Sequence, residues 1–172
     1  LGYRCGVIGT LGHGMAGDEL QQEDSGPGTT PDAVVLQQIF TGLRAQQADT
    51  LVMEVTSHAL DQSRVLVDDF AIAVFTNLTR DHLDYHGTMV EYGAAKRSLF
   101  TRSMPLGVFN IDDDYGAQLF ADHRLCQARL AYSLANPSAD VYCRQLRYDA
   151  DGDHRNVWCT LFSLQAVAFA DG

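Results

Sequence analysis

The chain is short of most features that would take it out of the class of folded, water-facing proteins. Its four cysteines, Cys5, Cys126, Cys143 and Cys159, form no C-x-x-C pair. Neither a zinc knuckle nor a disulfide framework is written into it, and free thiols in a reducing cytoplasm are expected. No apolar run approaches the length that crosses a bilayer. Positive charge is scarce: 12 Lys and Arg stand against 22 Asp and Glu, for a formal charge of −10. A general nucleic-acid or anionic-membrane binder needs a basic face, so no nucleic-acid or membrane partner is expected, although a local cationic pocket stays possible. No G-x-x-x-x-G-K-[ST] run occurs; Gly9-Thr10-Leu11-Gly12-His13-Gly14 is glycine-rich but lacks the Lys-Ser/Thr pair and reads as a strand-to-loop turn. There is no internal repeat and no low-complexity tract, and Leu1-Gly2-Tyr3-Arg4 shows neither an initiator Met nor a signal-peptide pattern.

What is present is a chain of 172 residues, 46% of them hydrophobic, enough to bury the core of one domain. Short apolar runs at residues 4–10, 50–55, 70–76, 107–111 and 129–133 read as strands. Between them, residues 12–27 read as a polar loop. Thr30-Pro31-Asp32 opens a helix with Thr30 as N-cap and Pro31 at the first helical position. Val34, Val35, Gln38, Ile39 and Leu43 recur at helical spacing. Residues 58–60 enter a loop or short helix, and residues 89–100 and 115–123 read as helices. This alternation predicts an α/β fold: a doubly wound, mainly parallel sheet flanked by helices, with residues 50–55 and 71–76 in its interior. Past Asn136 the pattern changes. Residues 140–147 and 156–170, around Asp149-Ala150-Asp151-Gly152-Asp153, predict an antiparallel excursion that makes residues 136–172 a distinct segment.

Two polar runs stand at strand ends. Asn77-Leu78-Thr79-Arg80-Asp81-His82-Leu83-Asp84-Tyr85-His86-Gly87 follows the strand at 71–76, with Lys96 shortly after; Glu54-Val55-Thr56-Ser57-His58 closes the strand at 50–55. The carboxyl edge of an open α/β sheet is where ligands bind. Glu54 and Asp81-His82 would bring hard oxygens and one imidazole together there, a mixture suited to Mg²⁺ or Mn²⁺ rather than structural zinc. Each has a plainer alternative: a salt-bridged strand-end carboxylate for Glu54, a capping histidine for His82, a snorkelling lysine for Lys96. Ser57-His58 is not read as a nucleophile and base, because adjacent side chains rarely meet as a dyad. His86 reads as a loop residue.

These runs resemble the MurE-type Mur ligases, the UDP-N-acetylmuramoyl-tripeptide synthetases. The resemblance is carried by Gly6-Val7-Ile8-Gly9-Thr10-Leu11-Gly12, Thr29-Thr30-Pro31-Asp32-Ala33, Met53-Glu54-Val55-Thr56-Ser57-His58-Ala59-Leu60-Asp61-Gln62-Ser63-Arg64-Val65, and the Asn77 to Gly87 run with Ala94-Ala95-Lys96. It implies a central ATPase domain of an ATP-dependent ligase of peptidoglycan synthesis. Such an enzyme adds the third amino acid, diaminopimelate or lysine, to UDP-MurNAc-L-Ala-D-Glu through an acyl phosphate, using ATP and Mg²⁺. By resemblance Glu54 and His82 match Mg²⁺ ligands, and Lys96 matches the lysine that becomes N6-carboxylysine by carbamylation, a change that requires the neutral amine. Lys96 and His82 are thus the catalytic candidates. Asn77 and Asp81 match the nucleotide side, and Thr29, Thr30, Thr56, Gln62 and Arg64 match contacts to the muramoyl-peptide.

The family's phosphate loop, its uridine-nucleotide domain and its amino-acid-binding domain have no counterpart in these residues. The resemblance therefore implies an interior piece of a larger ligase, a partial domain over residues 1–172, inactive alone. Two other readings compete. Another Mur-fold ligase, of the cyanophycin synthetase or folylpolyglutamate synthase type, is disfavoured by the Thr29 to Ala33 and Asp61 to Arg64 elements. A non-catalytic binding module would have kept the metal site and lost ATP use.

Overall fold

The computed structural model describes residues 2–22, 28–151 and 154–164, which form two compact units, residues 1–66 with 90–98 and residues 67–89 with 99–172. In the first unit, β1 (Cys5–Gly9) pairs in parallel with β3 (Thr50–Met53) and antiparallel with β2 (Gly12–Met15), giving the order β2-β1-β3. Residues 12–15, read from sequence as loop, are therefore a strand. Gly12, at φ +124, makes the tight reversal out of β1, where an added Cβ would strike the Gln21 carbonyl oxygen at 2.4 Å. Glu23 and Asp24 of that expected loop lie outside the described residues.

Helix α1 (Ala33–Ala45) packs Leu36, Ile39 and Leu43 with Ile8 of β1 as one buried cluster, which Met15 and Met53 join from β2 and β3. The i, i+3, i+7 spacing of the three helical residues is the inward stripe of an amphipathic helix. The sequence reading placed Val34 and Gln38 on that stripe; both are exposed, and Leu36 takes the position. The short α2 (Ser57–Asp61) and α4 (Met89–Arg97) complete the helices of this unit, residue 89 aside.

The second unit carries a five-stranded sheet in the order β4-β5-β6-β7-β8. The strands β4 (Ile72–Phe75), β5 (Leu106–Asn110), β6 (Ala128–Ser133) and β7 (Val141–Asp151) run parallel, and β8 (His154–Leu164) returns antiparallel to β7. The expected antiparallel excursion is thus the β7–β8 hairpin; residues 165–172, drawn into it from sequence, lie outside the described residues. Helix α5 (Asp114–Ala121) leads from β5 toward β6. The core is aromatic: Phe109 is fully buried, with the Phe100 ring 4.8 Å and the Phe120 ring 6.4 Å away, while Phe75 lies 5.9 Å from Tyr115 and 6.2 Å from Phe100.

The α/β class and the parallel sheet flanked by helices match the sequence reading, but one expectation is corrected. The sequence puts residues 50–55 and 71–76 in the interior of one sheet. Among the described residues β3 and β4 stand at the ends of two different sheets. Val52, Ile72 and Val74 are more than half exposed. An apolar run records that both faces of a strand are to be covered; it does not record the neighbour along the hydrogen-bonding edge.

Candidate functional site

In the first unit the carboxyl ends of β1 and β3 converge on one hydrogen-bonded network. The Glu54 N–H donates to the Ile8 carbonyl at 2.9 Å, which carries the β1–β3 pairing one step past the strand and fixes where the Glu54 side chain departs. Its Oε2 accepts the Thr10 N–H at 3.0 Å and the Thr10 hydroxyl at 2.8 Å. The Thr10 and Thr29 hydroxyls are 3.0 Å apart. Gly9 leaves room for this: a Cβ there would come within 3.1 Å of the Glu54 carboxyl carbon.

Thr30 is buried, and its hydroxyl donates to the Glu54 carbonyl and accepts the Thr56 N–H, both at 2.9 Å. It is therefore not the N-cap of α1, as the sequence suggested. That position falls to Asp32, whose side chain makes no capping bond. The hydroxyl instead satisfies two backbone groups just past β3, a larger return than one exposed helix N–H. Thr56 caps α2 by accepting the Ala59 N–H at 3.2 Å. Arg64 donates to the Thr30 carbonyl at 2.8 Å and grips Gln62 Oε1 with two donors at 2.8 and 2.6 Å, with Asp32 Oδ1 at 3.6 Å from its Nε. All five residues matched to the muramoyl-peptide thus join Glu54 in one network, with Thr10 and Asp32 added by the structure. In the sequence Thr10 reads as the last residue of the strand at 4–10 and as part of the Gly6 to Gly12 run, with no role of its own.

Lys96 also belongs to this unit. It is half-buried in the last turn of α4, with Nζ 5.0 Å from the centre of the Tyr92 ring one turn earlier. Tyr92 itself is buried, so this side of the helix faces inward.

In the second unit, β4 runs into the loop that carries Asn77, Asp81 and His82. The Asn110 side-chain amide donates to the Thr76 carbonyl at 2.8 Å, and Asp113 Oδ2 accepts the Leu78 N–H at 3.0 Å. His82 sits in the left-handed region at φ 55, uncommon for a residue with a side chain, and opens α3 (Leu83–His86). Its N–H donates to Asp81 Oδ1 at 2.7 Å, and its Nε2 is 3.7 Å from Asp81 Oδ2. His86, read from sequence as a loop residue, ends that helix and is buried against the edge of the Tyr85 ring. One strand further on, Asp112 accepts the Ser133 hydroxyl and, at 2.6 Å, the Leu134 N–H, tying the end of β5 to the end of β6. Burial raises the Tyr132 phenol above its ordinary pKa, helped by the charges of Asp112 and Asp113. Sequence reasoning passed over Asn110, Asp112 and Asp113, although the polar run at the carboxyl end of β5 was their signal.

Among the described residues no three His, Cys, Asp or Glu side chains gather as a ready-made cation cage. The donors fit Mg²⁺ only as partial ligands. The two bonds from Thr10 fall on a single oxygen of the exposed Glu54 carboxylate, and Mg²⁺ characteristically takes one or two carboxylates and completes its shell with water and phosphate oxygens.

Residues 1–168 match the model of the Mur ligase middle domain. The chain is 48% identical over 170 residues to the UDP-N-acetylmuramoyl-L-alanyl-D-glutamate–2,6-diaminopimelate ligase of Pseudomonas syringae pv. tomato, covering 98% of this chain and 33% of that protein. It is 48% identical over 160 residues to the enzyme of the same name from Pseudomonas putida, covering 88% of this chain and 32% of that one. A solved structure of a ligase of that name superposes with a TM-score of 0.70 at 38% identity, over 85% of this chain and 29% of that one. The chain thus spans about a third of the length of the curated relatives it matches.

Proposed function

We propose, from the premise that this chain belongs to the Mur ligase middle-domain family, that it is the ATP-handling part of an enzyme joining diaminopimelate to UDP-MurNAc-L-Ala-D-Glu in peptidoglycan synthesis. Both relatives above are named for diaminopimelate, which favours that amino acid over lysine. The observation that carries the reading is the network in which Thr29, Thr30, Thr56, Gln62 and Arg64 are bonded into the same strand-end cluster as Glu54. Substrate contacts and a metal-facing carboxylate on one scaffold are what a reaction between a bound carboxylate and a nucleotide phosphate requires.

In this reading Thr29, Thr30, Thr56 and Gln62 orient the muramoyl-peptide by directional hydrogen bonds, and Arg64 adds a cationic fork. Glu54 would hold Mg²⁺, with the neutral imidazole of His82 a ligand of the second such ion and Lys96, as its carbamate, a further anionic group. The ion supplies charge neutralisation for the phosphoryl group in transfer. Asn77 and Asp81 line the nucleotide side. The substrate carboxylate is activated by phosphoryl transfer from ATP, and the amino group of diaminopimelate then displaces phosphate to form the amide.

The test uses the complete reading frame that contains this segment. ATP-dependent, Mg²⁺-requiring amide formation with diaminopimelate, and little with lysine, is expected; no product with either amino acid overturns the reading. Glu54→Gln should lower turnover by about 100-fold or more while the melting temperature stays near that of the parent. The 172 residues alone hold no G-x-x-x-x-G-K-[ST] run, and by themselves they are expected neither to hydrolyse ATP nor to form product.

A further inference from the structure

We propose that Asn110 and Asp113 are positioning residues for Asn77, fixing both peptide groups that flank it. The inference rests on the reading of Asn77 as a nucleotide-side residue. Where β4 ends, its backbone leaves the ladder with β5, and the next polar groups need other partners. The Thr76 carbonyl belongs to the peptide joining residues 76 and 77, and the Leu78 N–H belongs to the peptide joining 77 and 78. Asn110 Nδ2 donates to the first at 2.8 Å, and Asp113 Oδ2 accepts from the second at 3.0 Å. Each peptide is a rigid plane, so pinning both planes pins φ and ψ of Asn77 and the direction in which its side chain leaves the backbone.

The two anchors are themselves fixed. Asn110 Oδ1 accepts the Asp112 N–H at 3.0 Å. Asp113 Oδ1 accepts the Tyr115 and Gly116 N–H groups at 3.0 and 2.9 Å, which makes it the N-cap of α5. Each planar head group is thus held at one end by its own turn and reaches the β4 loop with the other. Capping accounts for one carboxylate oxygen only, and a serine would cap as well. The second oxygen makes a charge-assisted bond across to another strand's loop, stronger than a neutral one. Asp112 repeats the device one strand over, accepting from Ser133 and Leu134 at the end of β6.

Asp113→Asn in the complete ligase separates the two jobs. It keeps a cap acceptor and turns an amide toward the Leu78 N–H, donor against donor. Asn110→Asp does the converse at the Thr76 carbonyl, acceptor against acceptor, and carries the same test if the first variant does not fold. Each is expected to raise the KM for ATP about ten-fold, as for one lost charge-assisted bond, with kcat changed far less and the melting temperature held within a few degrees. In an Asn77→Ala background Asp113→Asn should add nothing further, because its effect passes through Asn77. Hydrogen exchange in the segment containing Leu78 should quicken in Asp113→Asn whatever the ligand. Where Asn77→Ala itself raises the KM, an unchanged KM in Asp113→Asn, or a KM effect that multiplies with that of Asn77→Ala, overturns the inference, as does unchanged exchange in any case. If Asn77→Ala leaves the KM for ATP alone while exchange responds to Asp113→Asn, the nucleotide-side reading fails and the positioning stands.

Discussion

In the unit built on β1 and β3 the residues matched to the muramoyl-peptide are bonded with Glu54 into one network, whereas in the unit built on β4 to β8 the peptide groups flanking Asn77 are held by side chains from the end of a neighbouring strand. Thr30 shows the first arrangement. One buried hydroxyl joins the Glu54 carbonyl to the Thr56 N–H, and the same residue's carbonyl takes Arg64. Asn77 shows the second: exposed itself, it is flanked by two peptide groups fixed by Asn110 and Asp113. In the first unit stability and function therefore run through the same atoms at Thr30, and a substitution there should cost both. In the second they are divided among residues, so that one can be lost without the other.

The largest effect is expected where a backbone approach admits no side chain. Gly116 is buried in the first turn of α5, and an added Cβ would fall 2.0 Å from the Asn110 carbonyl oxygen and 3.1 Å from the Phe75 ring. Backbone oxygen cannot move aside as a flexible side chain can, so Gly116→Ala must push α5 off the strand end and break the Asp113 cap with it. A loss of roughly 3 kcal/mol or more is expected, read from urea or thermal melts. Gly42 on α1 has nothing within 4 Å of its added Cβ, so Gly42→Ala serves as the control and should stabilise by about 0.5–1 kcal/mol. A Gly116→Ala protein as stable as its parent would break the description of the second unit's strand-end turn.

Next in size is Thr30→Val, which keeps the shape and removes the hydroxyl. It leaves the Thr56 N–H and the Glu54 carbonyl without this partner in a half-buried place, for about 1–3 kcal/mol. Because Thr30 is also matched to the muramoyl-peptide, the KM for that substrate should rise in the same variant, and Thr30→Ser should restore both. The contrast with Asp113→Asn, expected to move a KM with the melting temperature almost unchanged, is the sharpest measure of the difference between the units. A Thr30→Val protein that lost affinity at full stability would erase it.

Much of this was legible in the sequence, for reasons that particular residues make plain. The strands at 72–75, 106–110 and 128–133 are short apolar runs between turn signals, and the parallel order follows from the helices between them. The candidate residues of the first unit were named by the family resemblance of the Thr29 to Ala33, Met53 to Val65 and Ala94 to Lys96 runs, Glu54 alone by its place at a strand end. Edges were not legible: nothing in Leu51-Val52 or Ile72-Ala73-Val74 says which strand lies alongside, and both segments proved to end their sheets. The hairpin strand at 12–15 was missed because Gly-His-Gly-Met has no alternation, its pairing being set by the β1 backbone. Thr30 was misassigned because a hydroxyl before a helix has a local use, capping, and a distant one, and only the fold shows that the distant one is taken. Asn110 and Asp113 went unread for the same reason: their partners are 34 and 35 positions away.

The smallest effect expected lies beside Asp112, in the pH dependence of the second unit. Tyr132 is half-buried on β6, and its phenol is held above the ordinary tyrosine value first by burial and then by the charges of Asp112 and Asp113. Those causes act in one direction, since each penalises the phenolate. The folded chain therefore keeps this proton at a pH where the unfolded chain has released it. Its contribution is intact below the unfolded tyrosine value of about 10 and is lost as pH rises through the higher folded value. Alkaline melts should show the parent losing stability more steeply above about pH 10 than Tyr132→Phe, which has no proton to lose. Salt then separates the causes: the carboxylate contribution is screened and the burial contribution is not. A steepness that vanishes in molar salt would put Asp112 and Asp113 ahead of burial, and equal slopes for parent and variant at every salt concentration would remove Tyr132 from the account.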